Sequence, residues 1–342
     1  MEQKEEKKKK ELIFKKKQHI EWIKRFLKLM PTETQDYDSN RMTMLYFVVS
    51  SLDLLGEVDN LDKKSIIDFV YSQQILPDKD NPEKYIENCG FRGGQFFGRD
   101  ENPQCQPTNS HLYDHSHIAM TYVAIAILTI LGDDYSRLNK NAILTALKSL
   151  QLDDGSFLAI NGIYESDMRY LYCACCISKM LNDWSGVNIE KATKYILSAQ
   201  SYENGFGLLP GRESHGGSTY CALASLSMMG TLNQISSKDK VIEWLIRRQL
   251  TGFEGRTNKM VDTCYSFWIG ASLKLFNVFD LIDFEQCSNF TLSTQGDYGG
   301  FAKWPDIVQD PLHTYFGLCG LGFMKKFDIP EVDPELGFRI KK

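Results

Sequence analysis

A period of just under fifty residues runs through this chain and constrains its fold more than any other feature. Leu150-Gln151 precedes DDGSF, Ala199-Gln200 precedes SYENGF, Arg248-Gln249 precedes LTGF and Thr294-Gln295 precedes GDYGGF, so successive glutamines stand 49, 49 and 46 residues apart. An earlier copy, FVYSQQ followed by GFRGGQF, is stretched by a loop. Before each glutamine runs an amphipathic helical pattern, with Ile143, Ala146, Leu147 and Leu150 on one face of the first and Ala192, Tyr195, Ile196 and Ala199 on one face of the next. After each Gly-Phe turn comes a second, more apolar helix. These begin near His117, Asp167, His215, Asp262 and His313, spaced 50, 48, 47 and 51. Two helices per repeat make a helix-pair array and an all-α fold. One repeat cannot bury its own apolar face, so residues 19–342 form a single domain. The repeat alone is compatible with a closed α–α barrel and with an open solenoid.

The flanking sequence adds less. Residues 1–18, a Lys/Glu run, read as a solvated, fraying segment. Further helices are expected over His19–Met30, stopped by Pro31, over Thr43–Leu55 and over Lys63–Gln74. The charged N-terminus has no apolar secretory core, and the apolar run Ile118–Leu131 is too short to span a bilayer. Nine cysteines, several within apolar helical runs, read as reduced core residues, which places the protein in the cytoplasm. A net charge of −5 argues against a general nucleic-acid binder.

The polar residues that break the apolar rule cluster where the apolar helices start: His117, Asp167, Arg169, His215, Asp262 and His313. In a helix-pair array these starts share one rim. A ring of positive helix ends around an apolar interior suits a ligand with an anionic head and an apolar body. Asp262 and Cys264 are two apart, so they converge only where a helix begins. There the free N–H groups should lower the thiol's pKa. His313, one repeat later, completes an Asp, Cys and His set suited to zinc. Three protein ligands leave a fourth position open, as in a catalytic site. A capped helix with a buried cysteine and a core histidine is the plainer account of each residue taken singly. His215, Arg256, Lys259 and Tyr265 could clamp a diphosphate, and Gly216 and Gly217 would let a ligand approach the backbone. Tyr122, Tyr172, Phe267, Trp268 and Phe316 lie along the apolar helices, as core or as the lining of a cavity. Two other classes use such arrays. A terpenoid cyclase needs an acidic proton donor or an Asp-rich magnesium motif, for which Asp153-Asp154 is the one tempting pair, but that pair lies in a repeat turn. A peptide-binding scaffold has no use for a thiolate-generating metal site.

Several runs, namely DHSHIAMTY, LQLDDGSF, ESHGGSTY, GRTNKMVDTCYSFW, LSTQ, GGFAKWPD and DPLHTYFGLCGL, resemble the protein prenyltransferase beta-subunit family, and within it the type I geranylgeranyltransferases. The resemblance extends from about His19 to Met324. It implies an α–α barrel (toroid) and the catalytic beta subunit of a heterodimer with an alpha subunit. It also implies one zinc ion per beta subunit, and transfer of a geranylgeranyl group from geranylgeranyl diphosphate to the Cys of C-terminal Cys-a-a-X proteins, X usually Leu, such as Rho/Rac-type small GTPases. Position by position, Asp262, Cys264 and His313 match the zinc ligands, and His215, Arg256, Lys259 and Tyr265 the diphosphate contacts. Gly216, Gly217, Arg169, Tyr172, Cys173 and Trp268 match the isoprenoid pocket. His117, Ala119, Tyr170, Leu312 and Phe316 match the end that reads the terminal residue. Thr43 stands where farnesyltransferases carry Trp, leaving room for a longer isoprenoid. Lys303 stands where they carry a magnesium-binding Asp, so its ammonium is expected beside the diphosphate and no magnesium requirement is expected. The chain departs from its relatives at Met260 (Pro in relatives), at Tyr170 (Phe) and in the loop Arg99 to His111.

Overall fold

The repeat glutamine proves to be a clip between neighbouring repeats. The structure, a computed structural model, describes residues 12–28, 32–78, 80–95 and 115–339. Twelve α-helices alternate between two layers among these residues. The outer helices are α1 (Lys16–Lys24), α3 (Lys63–Ser72), α5 (Lys140–Leu150), α7 (Ile189–Ser198), α9 (Lys238–Ile246) and α11 (Phe284–Ser293). The inner helices are α2 (Arg41–Leu54), α4 (Ile118–Leu131), α6 (Met168–Leu181), α8 (Gly216–Met228), α10 (Tyr265–Leu275) and α12 (Pro311–Phe323). Each inner helix packs on the next, and α12 packs back on α2, so the array closes into an α–α toroid. Two short antiparallel pairs are added: β1 (Gln74–Ile75) with β2 (Gly90–Phe91), and β3 (Leu158–Ile160) with β4 (Ile163–Ser166).

At the ends of α3, α5, α9 and α11 the glutamine side chain reaches to the start of the next outer helix, whereas Gln200 Nε2 donates within its own turn, to Asn204 O. Gln151 Oε1 accepts from Asn188 N–H at 2.7 Å while its Nε2 donates to Asn188 O at 3.2 Å. Gln249 does the same with Asp283, at 2.9 and 2.7 Å. Gln74 accepts from Asn139 N–H and donates to Arg137 O. Gln295, in the last repeat, reaches across the closure to the first. Its Oε1 accepts from Lys15 N–H at 2.8 Å and its Nε2 donates to Ile13 O at 3.0 Å. The described part of the segment expected to be solvated therefore belongs to the body: Phe14 stacks on His19 and Phe327, and α1 already begins at Lys16. Gly299, at a φ of +98°, has no room for a Cβ, which would lie 2.3 Å from Gln18 O. Residues 1–11 and the loop Arg99 to His111 lie outside the described residues.

The turn phenylalanines Phe91, Phe157, Phe206, Phe253 and Phe301 are buried in the core. Their backbone bonds set where the inner helices start. Phe91, Phe206, Phe253 and Phe301 accept, through their carbonyls, the N–H of His117, His215, Asp262 and Asp310. His117, Asp167, His215 and Asp310 then cap α4, α6, α8 and α12 with their side chains. This corrects one sequence expectation. The residue equivalent to Asp262 is Asp310, not His313, which lies one turn inside α12. The spacing from Asp262 becomes 48, in line with the other repeats.

Five residues past His117, Asp167, His215, Asp262 and Asp310 come Tyr122, Tyr172, Tyr220, Phe267 and Tyr315, and α2 adds Tyr46. Their rings touch in a closed circuit, centroids 5.0 to 6.4 Å apart. The C-terminal segment turns back against this girdle. Tyr122 donates to Leu336 O, Tyr172 and Tyr220 to Glu335 O, and Tyr315 to Gly337 O. Burial pushes these phenols well up, so they remain donors at any ordinary pH.

Two outcomes test the closure. Gln295→Ala removes a clip that only the ring closure needs and should destabilise the protein by about 2 kcal/mol in denaturant unfolding. The second concerns His19, which is buried with Nε2 2.9 Å from Gln295 Oε1 and Nδ1 accepting from Gly300 N–H at 2.9 Å. Burial, only partly opposed by the Gln295 bond, pulls its pKa down to about 4. The unfolded chain therefore binds this proton first. Stability should rise with pH from about 4 to 6.5 and be lost as pH falls through that window. His19→Leu should flatten that part of the curve.

Candidate metal centre and anion site

Asp262, Cys264 and His313 converge at the rim. One candidate ligand atom from each lies within 4.8 Å of the others. Local structure explains the convergence. Asp262 N–H is fixed on Phe253 O, and Asp262 Oδ1 accepts from Cys264 N–H at 2.9 Å, so carboxylate and thiol meet at the first residues of α10. Thr263 between them is pinned to the neighbouring repeat through Ala302 O and Lys303 O. His313 comes from α12. Its Nδ1 lies 2.6 Å from Asp310 Oδ2 and its Nε2 3.3 Å from Asp262 Oδ1. Asp310 thus orients the ring with Nε2 toward the other two donors, as a carboxylate behind a metal-binding histidine does.

The protonation pattern fits a cation site. Burial lowers the pKa of His313, but bonds to Asp262 and Asp310 outweigh it and raise the value to about 9. Burial also pushes the Asp262 carboxyl up, while His313 and the Cys264 N–H carry it below the ordinary range. Left to itself, then, the chain places a charged imidazolium against a buried carboxylate. The expectation that the helix start lowers the Cys264 thiol is not met: burial first, then the Asp262 charge, raise it well above its usual value. A divalent cation reverses both effects, since it displaces the imidazolium proton and holds the sulfur as thiolate. A buried carboxylate, thiol and oriented imidazole are a donor set that zinc accepts.

Next to this set lie the residues expected to clamp an anion. His215 Nδ1 accepts from Gly217 N–H at 3.0 Å, which leaves Nε2–H to donate to Tyr265 Oη at 2.9 Å. The Tyr265 hydroxyl proton is then free for a ligand oxygen. Desolvation lowers the His215 pKa, so the ring is neutral. Tyr265 lies flat against Gly255, where a Cβ would come within 2.1 Å of its ring. Gly216 is likewise a packing glycine, its α-carbon facing Tyr265 and Ile269 rather than open space, whereas Gly217 meets only the His215 ring. Lys303 Nζ stands 3.8 Å from Asp262 Oδ2. Arg256 is half-buried and ion-paired with Glu213, and Lys259 is exposed on the same loop.

The remaining candidates occupy the inner wall. Trp268 packs on Phe316 and Tyr220, with Phe316 on Phe267. Leu312 is half-buried on α12. Cys173 is buried on α6. Thr43 Oγ1 is 3.3 Å from Met120 Sδ. Tyr172, expected in the isoprenoid pocket, spends its hydroxyl on Glu335 O and Tyr220. Arg169 grips Asp167, and the Tyr170 hydroxyl donates to Glu165 at 2.6 Å rather than pointing free. His117 meets Tyr170 edge-on at 5.8 Å, one residue pair from Ala119, whose N–H it caps. A cavity of about 640 Å³ opens beside His117 between Arg92, Met120 and the β3–β4 turn. Asp153 and Asp154 lie in the repeat turn, one paired with Lys191 and one capping Ser156, away from the barrel interior. Sequence reasoning missed Asp310 and Glu213. The 48-residue spacing from Asp262 would have found the first; nothing in the pattern marks the second.

The class follows from a toroid of paired helices with a candidate metal set on its rim. The chain matches the prenyltransferase alpha-alpha toroid domain over residues 14–338. It belongs to that family and is a protein prenyltransferase. Within the class it is similar to type-1 geranylgeranyl transferase beta subunits. It is 44% identical over 322 residues to that of Dictyostelium discoideum, covering 92% of each chain. It is 40% identical over 338 residues to that of Arabidopsis thaliana, covering 95% of this chain and 88% of the relative. The farnesyltransferase beta subunit of Schizosaccharomyces pombe is 31% identical over 323 residues. Among solved structures, Candida albicans protein geranylgeranyltransferase-I complexed with GGPP superposes with a TM-score of 0.81 at 27% identity, covering 95% of this chain and 96% of that one. Among the described residues no helix is long and apolar enough to cross a membrane.

The arrangement behind His313 can be tested directly. Asp310→Asn keeps a capping oxygen but removes the charge behind Nδ1. It should weaken zinc binding about 10- to 100-fold in a chelator competition, with the fold unchanged.

Proposed function

We propose that this chain is the catalytic beta subunit of a type I protein geranylgeranyltransferase. It pairs with a prenyltransferase alpha subunit and moves the C20 group of geranylgeranyl diphosphate onto the Cys thiol of proteins ending in Cys-a-a-X, X usually Leu, Rho/Rac-type small GTPases among them. The observation that carries this reading is the convergence of Asp262, Cys264 and His313 beside His215, Tyr265 and Lys303. Asp262, Cys264 and His313 would hold zinc, which when bound keeps a substrate thiol as thiolate at neutral pH. The chain's own residues do the rest. The inner wall, with Thr43, Cys173 and Trp268, takes the isoprenoid body. Tyr265, Arg256 and Lys259, with His215 behind Tyr265, orient the diphosphate, and Arg256 exchanges Glu213 for phosphate oxygens. Lys303, on the metal side of the clamp, is placed to meet charge as it develops on the leaving group, in the place of a magnesium ion. The sulfur bonds to C1, the C1–O bond breaks, inorganic diphosphate leaves and the thiol proton passes to solvent. A lysine of the alpha subunit would complete the clamp, and His117, Ala119, Tyr170, Leu312 and Phe316 would read the peptide's last residue. The reading implies a cytoplasmic enzyme.

The test is a paired assay of the chain co-expressed with an alpha subunit, using Cys-a-a-Leu and Cys-a-a-Ser peptides with C20 and C15 diphosphates. One zinc per heterodimer and magnesium-independent C20 transfer to the Leu peptide are expected. Magnesium-dependent C15 transfer to the Ser peptide would sink the type I reading. Cys264→Ala should lose bound zinc and turnover together. Thr43→Trp should shorten the cavity and shift preference toward the C15 donor by tenfold or more, because a large ring fills the space of several methylenes.

A further inference from the structure

The loop between Glu254 and Val261 carries both cations of the diphosphate clamp. It is held from beneath by a charge pair that has no part in the chemistry. The Arg248 and Glu254 side chains are each 8% exposed, and Arg248 Nη1 donates to Glu254 Oε1 at 2.8 Å. The same nitrogen donates at 2.9 Å to Thr257 Oγ1, one residue past Arg256. On the other side, Arg248 Nε donates to Trp244 O at 3.3 Å and the guanidinium lies 5.1 Å from the Trp244 ring centroid. The guanidinium is therefore fixed to α9 and reaches into the loop at two points.

The repeats show that this pair is peculiar to the clamp's own repeat. The slot before the repeat glutamine holds Leu150, Ala199 and Thr294 elsewhere, and the slot after the turn phenylalanine holds Leu158, Gly207 and Ala302. In the stretched first copy the same two slots pair Gln73 with Arg92 at 3.2 Å. Only the repeat with Arg256 and Lys259 places an arginine and a carboxylate there. A buried ion pair is a weak source of stability but a strong constraint on geometry. The loop needs one: Thr257 to Met260 are exposed, Asn258 sits at a φ of +61°, and a single bridge, Glu254 to Val261, closes it. Arg248 also cancels the Glu254 charge, which would otherwise lie beneath a bound anion.

We propose that Arg248 is a positioning residue for the anion clamp: through Glu254 and Thr257 it fixes the loop so that Arg256 and Lys259 face the diphosphate. The inference rests on the clamp reading given above. It is tested in the zinc-loaded heterodimer by measuring KM for geranylgeranyl diphosphate and for a Cys-a-a-Leu peptide, turnover, zinc content and Tm. Thr257→Val leaves the buried pair intact and should raise the diphosphate KM about three- to tenfold, the size of one hydrogen bond. Peptide KM and zinc content should not change, and Tm should hold. Arg248→Gln should raise the diphosphate KM further, and Arg248→Lys should recover part of the loss. Arg256→Ala is the control for the clamp itself. If it weakens diphosphate binding while Thr257→Val and Arg248→Gln leave that KM unmoved and only lower Tm, Arg248 is merely structural and the proposal falls. If Arg256→Ala also leaves the diphosphate KM unmoved, the clamp reading falls with it.

Discussion

One backbone hydrogen bond, repeated round the ring, carries the rim: the carbonyl of the turn phenylalanine accepting the N–H of the residue that opens the next inner helix. It exists for His117, His215, Asp262 and Asp310. The phenylalanine ring is buried, so its carbonyl is held at a fixed depth, and the opening residue inherits that depth. Side chains of neighbouring repeats thus arrive at one level. Asp262 and His313 meet because Phe253 and Phe301 fix the starts of two different helices to the same plane.

The rim is also where the electrostatics of the fold are concentrated. Inner helices present their positive ends there, which favours anions, yet the deepest groups are a carboxylate and a thiol. Burial decides the balance. It keeps His215 neutral and raises the Cys264 thiol, while two carboxylates overcome it at His313 and charge the ring. Without an ion the set is a protonated, self-compensated cluster. With a divalent cation the same groups become ligands. The neighbouring candidate anion residues use the opposite device, a neutral His215 whose proton is committed to Tyr265.

One level of the interior is closed by aromatic contact round the whole ring. Five tyrosines and Phe267 touch round the whole circuit, and their hydroxyls take up the carbonyls of Glu335 to Gly337. Those carbonyls would otherwise be buried without partners. The C-terminal segment and the girdle therefore satisfy each other. Ring closure at the other end of the chain follows the same economy, with Gln295 treating Ile13 and Lys15 as the start of the next outer helix.

The helix-pair repeat, the shared rim and the residue types gathered there are legible in the chain alone, because the periods of 3.6 and of about 48 residues are written in neighbouring positions. So are the zinc and diphosphate candidates, since Asp262 and Cys264 sit in one run with Arg256, Lys259 and Tyr265. Tertiary structure decided what depends on contact across the ring. Whether the array closed was one such matter, since the Gln295 clip joins residues about 280 apart. The true start of α12 at Asp310 was another, hidden because His313 looked like the phase-matched residue. The fate of hydroxyls and charges was a third: Tyr170 is taken by Glu165, Tyr172 by Glu335, Arg256 by Glu213, and the Cys264 thiol is raised rather than lowered. For Tyr172 and Arg256 the partner comes from a distant part of the chain; for Tyr170 and Cys264 it is near in sequence, and burial in the folded rim decides the outcome.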